Sequence, residues 1–102
     1  MRRGEVWWAM MGTKTRPIVL VSRDSHIQTR SMVLASPVTT RVRRMEAEVE
    51  LGPEDGLPKA CVANASSIEL ISKSRIIRQI ATLSSSKRDA LDAALRFSLG
   101  LD

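Results

Sequence analysis

Ile18-Val19-Leu20-Val21 is a run of four apolar residues, three of them β-branched, with no polar break. Such a run suits a strand buried on both faces. Pro17 has no N–H to give to a ladder, so the strand is expected to begin there. The proline also holds Arg16 extended, at the mouth of the strand. Glu46-Ala47-Glu48-Val49-Glu50-Leu51 alternates strictly and predicts a half-buried strand with its acidic face in water. Shorter apolar stretches predict strands over residues 4–9, 31–36, 60–63, 68–71 and 79–82, with Pro37-Val38 ending or bending the second of these.

Between the strands, Met10 to Thr15 reads as a short polar loop with Gly12 as its turn residue. Arg23 to Arg30 reads as a surface loop with room for one helical turn, and Ser74 to Ile77 as another short turn. Gly52 to Pro58 is dense in turn formers and must be a loop. After Ser84 the period changes. Ala90, Leu91, Ala94, Leu95 and Leu99 share one face at helical spacing, a serine among Ser84, Ser85 and Ser86 can cap the start, and Gly100 stops the helix. Short strands, tight turns and one terminal helix predict a mainly β fold with a C-terminal helix (α+β), a strongly curved sheet or small barrel covered by the helix. All 102 residues are read as one domain, 1–102.

Trp7 and Trp8 are adjacent, so in a strand they face opposite sides. One is expected in the core. The other is a subunit contact or a stacking surface for a base.

Composition changes the picture only through charge. The net charge is +5 and the sequence pI about 10.4, which favours an anionic partner. The basic residues concentrate before residue 45, and residues 45–58 carry acidic charges alone. No apolar run is long enough to span a bilayer, and no signal-like segment follows Met1. The single Cys61 allows no internal disulfide, which fits a reducing cytoplasm. No metal-ligand constellation, phosphate loop or histidine-based nucleophile site is visible: His26 is the only histidine and reads as a surface residue, and Cys61 reads as a small core residue. What remains is arginine with hydroxyls. Thr13-Lys14-Thr15-Arg16 and Thr39-Thr40-Arg41, with Arg43 and Arg44, flank the proposed sheet. They are either solvated strand-end turns or two halves of a phosphate clamp.

At these residues the chain resembles the MazF/PemK-type toxins of bacterial toxin–antitoxin pairs. The resemblance runs through Arg3-Gly4-Glu5-Val6-Trp7, Arg16-Pro17-Ile18-Val19-Leu20-Val21 and Ser36-Pro37-Val38-Thr39-Thr40. It continues in Gly52-Pro53-Glu54-Asp55-Gly56-Leu57, Val62-Ala63-Asn64 and the ending Ala94 to Leu101. It implies an SH3-like small β-barrel of MazF/PemK/CcdB type, working as a homodimer. It implies a metal-independent endoribonuclease that needs no cofactor and cuts single-stranded RNA at short sequences. It also implies a cognate antitoxin whose acidic tail covers the RNA groove. The family's catalytic arginine and threonine map to Arg16 and Thr39, with Thr40 one position away. Thr13, Lys14, Thr15, Thr40, Arg41, Arg43, Arg44, Asn64, Ser66 and Ser67 become the candidate RNA-binding residues. Two features depart from the pattern: the loop before Arg16 is short, and Ser66-Ser67 stand where many relatives have an acidic residue followed by an amide. The alternative is a non-catalytic toxin of the same fold that inhibits DNA gyrase.

Overall fold

The computed structural model describes residues 1–101. In chain order the elements are β1 Glu5–Met11, β2 Lys14–Leu20, α1 Asp24–Thr29, β3 Met32–Thr39, β4 Glu48–Leu51, β5 Cys61–Asn64, β6 Glu69–Ser72, β7 Ile76–Thr82 and α2 Ser85–Leu99. Short 3₁₀ turns occupy Pro53–Asp55 and Lys73–Arg75. The strands run β4-β5-β3-β2-β1-β7, and β6 adds to β3. All the pairings are antiparallel. β4 and β7 do not pair with each other, so the sheet is strongly curved but not closed by hydrogen bonds. None of the helices among the described residues is long and apolar enough to cross a membrane.

Most of the stretch expected to be a loop, Met10 to Thr15, is strand. β1 and β2 pair as far as Met11 with Lys14, which leaves only Gly12-Thr13 as the turn. Gly12 has φ +66° and Thr13 has no positive φ, the backbone pattern of a two-residue hairpin with glycine first. Residues 10, 11, 14 and 15 are therefore strand, and Pro17 is the fourth residue of β2 rather than the first. It is tolerated because the β2–β3 ladder covers only Ile18–Leu20, so at Pro17 the strand is paired on one side alone. Pro37 likewise does not end β3. It marks the place where β3 changes partner, from β2 at Ala35–Pro37 to β5 at Val38–Thr39.

Ile18, Val19 and Leu20 are fully buried, as a two-sided strand requires. Alternation sends them to different cores. Val19 joins Val6, Val38, Val49, Leu57, Leu91 and Leu95, the core that α2 covers. Ile18 and Leu20 join Ala9, Ile27, Val33, Ile71 and Ile76, the core that α1 caps through Ile27. The segment read as a surface loop is thus a helix with a buried residue, and His26 lies on it, half-buried. Neither tryptophan is fully buried: Trp7 lies against the second core with its indole N–H on Glu5 Oε1 (2.9 Å), and Trp8 is half-buried on the other face. Two register shifts in the β1–β7 ladder leave Ile77 and Ile80 without direct partners.

The acidic alternation survives in part. Ala47, Val49 and Leu51 are buried and Glu50 is exposed, but Glu48 is half-buried and accepts from the N–H groups of Arg43 (3.1 Å) and Met45 (3.2 Å). α2 begins at the N-cap Ser84, whose Oγ accepts from Lys87 N (3.2 Å), and ends at the left-handed Gly100. Its buried face is Leu91, Ala94 and Leu95, while Ala90 and Leu99 are exposed, so the apolar stripe is narrower than the spacing suggested.

The loop after β4 depends on Gly56. Its φ is +92°, and a Cβ there would lie 2.8 Å from Ala81 Cβ. Gly56→Ala should therefore lose roughly 1–3 kcal/mol of stability through backbone strain and overpacking. Chemical denaturation of the two proteins measures this directly, and an unchanged midpoint would show that the loop can move away from β7.

Candidate functional site

Arg16 lies on β2, opposite Ala9 of β1, and is exposed. The residues just after it are locked between two cores, so its backbone is held while its side chain is free. Its guanidinium has neither an ion-pair partner nor a hydrogen bond among the described residues. It lines a hollow of about 460 Å³ together with Met10, Met32, Pro37, Glu69, Ser72 and Arg75, among others.

Thr39 ends β3 and is half-buried. Its Oγ1 accepts a hydrogen bond from Arg41 N (3.1 Å). This fixes the oxygen and leaves the hydroxyl proton to donate elsewhere. The β2–β3 ladder pairs Ile18 with Pro37, and two residues further out along each strand lie Arg16 and Thr39. The ladder stops short of them because β3 pairs with β5 there. Thr39 and Thr40 line a smaller apolar hollow with Pro17, Leu57 and Cys61. The two hollows share no lining residue, so Arg16 and Thr39 stand at the outer ends of neighbouring strands without lining one hollow.

The other sequence candidates fall into three groups. Thr13, Lys14 and Thr15 form the exposed tip of the Arg16 hairpin. Thr15 Oγ1 approaches Met10 Sδ at 3.4 Å. Thr40, Arg41, Arg43 and Arg44 are exposed on the irregular segment after β3. Arg44 has φ +56°, the one non-glycine residue in the left-handed region among those described. It lines a separate hollow with Glu50, Gly52 and Ala60, away from Arg16. Asn64 closes β5, and its Oδ1 accepts from both Ser66 N (2.9 Å) and Ser66 Oγ (2.6 Å). That carbonyl is committed to its own turn. Ser67 is exposed beside it.

Sequence reasoning missed Arg75 and Glu69. Arg75 precedes Ile76, which pairs with Ala9, which in turn pairs with Arg16. Glu69 starts β6 opposite Ala35. Both reach the Arg16 hollow only through long-range strand pairings, and no local pattern signals them.

A model of the PemK-like, MazF-like toxins of type II toxin-antitoxin systems matches residues 2–99. This chain belongs to that family. Among its relatives, the probable endoribonuclease MazF5 of Mycobacterium tuberculosis is 33% identical over 99 residues, covering 95% of this chain and 91% of that protein. The probable endoribonuclease MazF2 of the same species is 31% identical over 101 residues, covering 98% and 99%. An endoribonuclease from a mycobacterial species, solved in complex with its cognate antitoxin, superposes with a TM-score of 0.91 at 27% identity, over 100% of this chain and 97% of that one. The Mycobacterium tuberculosis toxin MazF-mt6 gives 0.89 at 28% identity, over 96% and 98%. The toxin fold is therefore the architecture of this chain, with its sheet open between β4 and β7.

Arg16 is exposed and unpaired, so Arg16→Ala should shift stability by no more than about 0.5 kcal/mol. Matching thermal melts would show this, and a large loss would mean the side chain holds the fold. Burial, followed by the charges of Asp55 and Glu54, raises the pKa of the Cys61 thiol. The folded state holds that proton more tightly than the unfolded chain, so stability should fall as pH rises past the ordinary thiol range. Native Cys61 should also alkylate far more slowly near pH 8 than the denatured chain, a comparison that mass spectrometry makes directly.

Proposed function

We propose that this toxin-family chain is a metal-independent endoribonuclease that cuts single-stranded RNA and so stops translation and growth. Arg16 and Thr39 are its catalytic residues. The observation that carries the reading is Arg16 itself: a permanent charge with no partner, launched from a strand buried on both faces, at the level of a threonine whose hydroxyl proton is free.

RNA brings its own nucleophile, the 2′-hydroxyl. Its oxygen attacks the adjacent phosphorus, the P–O5′ bond breaks, and the proton lost at the 2′-oxygen is balanced by one gained at the 5′-oxygen. The protein's main task is to stabilise the charge that builds on the phosphoryl oxygens. Arg16 offers a guanidinium that stays charged and forked donors that match those oxygens. Thr39 donates its O–H to a non-bridging oxygen while Arg41 N holds the Oγ1 in place. Thr39 suits this role better than Thr40, which is exposed beyond the end of the strand. The products are a 2′,3′-cyclic phosphate and a 5′-hydroxyl.

Thr13, Lys14 and Thr15 at the hairpin tip, and Thr40, Arg41, Arg43 and Arg44 after β3, hold the flanking phosphates. Asn64 contributes by shaping the turn that presents Ser66 and Ser67. The protein acts in the cytoplasm as a homodimer. It is restrained by a cognate antitoxin, a reading supported by the related mycobacterial endoribonuclease solved with its own antitoxin.

The test is incubation of the purified protein with a long RNA in excess chelator, followed by mapping of fragment ends. Discrete cuts ending in cyclic phosphate are expected. Arg16→Ala should lower kcat by roughly a hundredfold or more while the fold is kept, and Thr39→Val should lower it too. RNA binding without cuts, or gyrase inhibition in place of cleavage, would overturn the proposal.

A further inference from the structure

Arg16 shares its hollow with a carboxylate. We infer that this hollow is a nucleobase pocket beside the scissile phosphate, in which Glu69 reads the base and Arg75 holds the next phosphate. The inference rests on the endoribonuclease reading of Arg16 and adds the group that selects the RNA sequence.

Three observations carry it. The first is size and lining: about 460 Å³ falls within the roughly 300–1,000 Å³ of small-molecule sites, ample for one base. The walls are mixed as a base requires. Met10, Met32 and Leu70 are large, apolar and exposed, and methionine is polarisable enough to lie against an aromatic face.

The second is charge. Glu69 is exposed in the hollow, and no ion pair ties it to Arg16 or Arg75 among the described residues. A carboxylate has no use for a phosphate, but it accepts from N–H groups on a base edge. Guanine offers two such donors side by side, N1–H and the 2-amino group, to a two-oxygen acceptor. Uracil offers one N–H between two carbonyl oxygens that repel a carboxylate. The pocket is therefore selective for guanine over uracil.

The third is position. Ile76, Ala9 and Arg16 stand in one cross-strand row, and strands in a sheet lie about 4.8 Å apart, so Ile76 stands about 10 Å from Arg16 and Arg75 is the residue before it. Two flexible arginines so placed can grip successive phosphates, and the Glu69 side of the hollow then faces the base between them.

Short oligoribonucleotides with one cut site, varied one base at a time around the cut, test this. The wild type should prefer guanine to uracil at one flanking position by roughly five- to hundredfold in kcat/KM. Glu69→Gln keeps the size and hydrogen-bonding reach of the side chain but replaces one acceptor oxygen with a donor. It should lose most of that preference and still cut. Arg75→Ala should raise KM with kcat largely retained and weaken the salt dependence of binding. Unchanged preferences in both Glu69→Gln and Glu69→Ala would overturn the pocket while leaving the endoribonuclease intact. A wild type that cuts no RNA in any of these substrates would overturn both.

Discussion

The structure depends on one short strand being buried on both faces. Ile18, Val19 and Leu20 fill two cores that lie on opposite sides of the sheet, and α2 covers one while α1 caps the other. Each such side chain contributes roughly 1.5–3 kcal/mol when fully buried, so this strand cannot slide or turn over without exposing both cores. Everything attached to its outer end inherits that rigidity. Arg16 is three residues from Val19, on a hairpin whose turn is only two residues long. A long, flexible side chain thereby gets a fixed root.

Two prolines then set where the strands part. Pro17 lacks a donor, and the β2–β3 ladder ends at the next residue, Ile18, paired with Pro37. Past that point β3 pairs with β5, which leaves the outer ends of β2 and β3 free of one another. A sheet that stayed zipped to its end would cover the gap between Arg16 and Thr39 with its own backbone bonds. On the proposed reading, the break in the ladder leaves room for an extended RNA backbone to lie against both residues.

How much of this could be read from the chain differs by the range of the interaction. The two-sided strand, the alternation of Ala47, Val49 and Leu51, and the capped helix from Ser84 to Gly100 are local patterns; their buried residues appear as expected, although β2 starts earlier, at Lys14, and β4 later, at Glu48. The hairpin around Gly12 was misread as a loop because its residues are polar and exposed, although they still pair. The helix Asp24–Thr29 is legible only as room for one turn in a surface loop, because a single buried residue, Ile27, holds it down, too few for a periodic signal. Arg16 and Thr39 are picked out by their place in a family pattern, and the structure puts them two residues beyond the last β2–β3 pair. Glu69 and Arg75 are not, because they arrive through β3–β6 and β1–β7 pairings that join residues far apart in the chain.

That contrast bears on how such a toxin could change its target while keeping its chemistry. On the proposed reading, the residues that stabilise a phosphate sit on the rigid strand, since a displacement of even an ångström there would remove much of the rate. The residues that select a base need only reach the hollow. Glu69 is exposed on β6, a four-residue strand, and Arg75 lies in a 3₁₀ turn. Neither belongs to a core, so substitution at either position leaves both cores packed. On the proposed reading, reaction and recognition are carried by different parts of one sheet: the first by β2, which the cores fix, and the second by exposed side chains at the start of β6 and in the turn before β7.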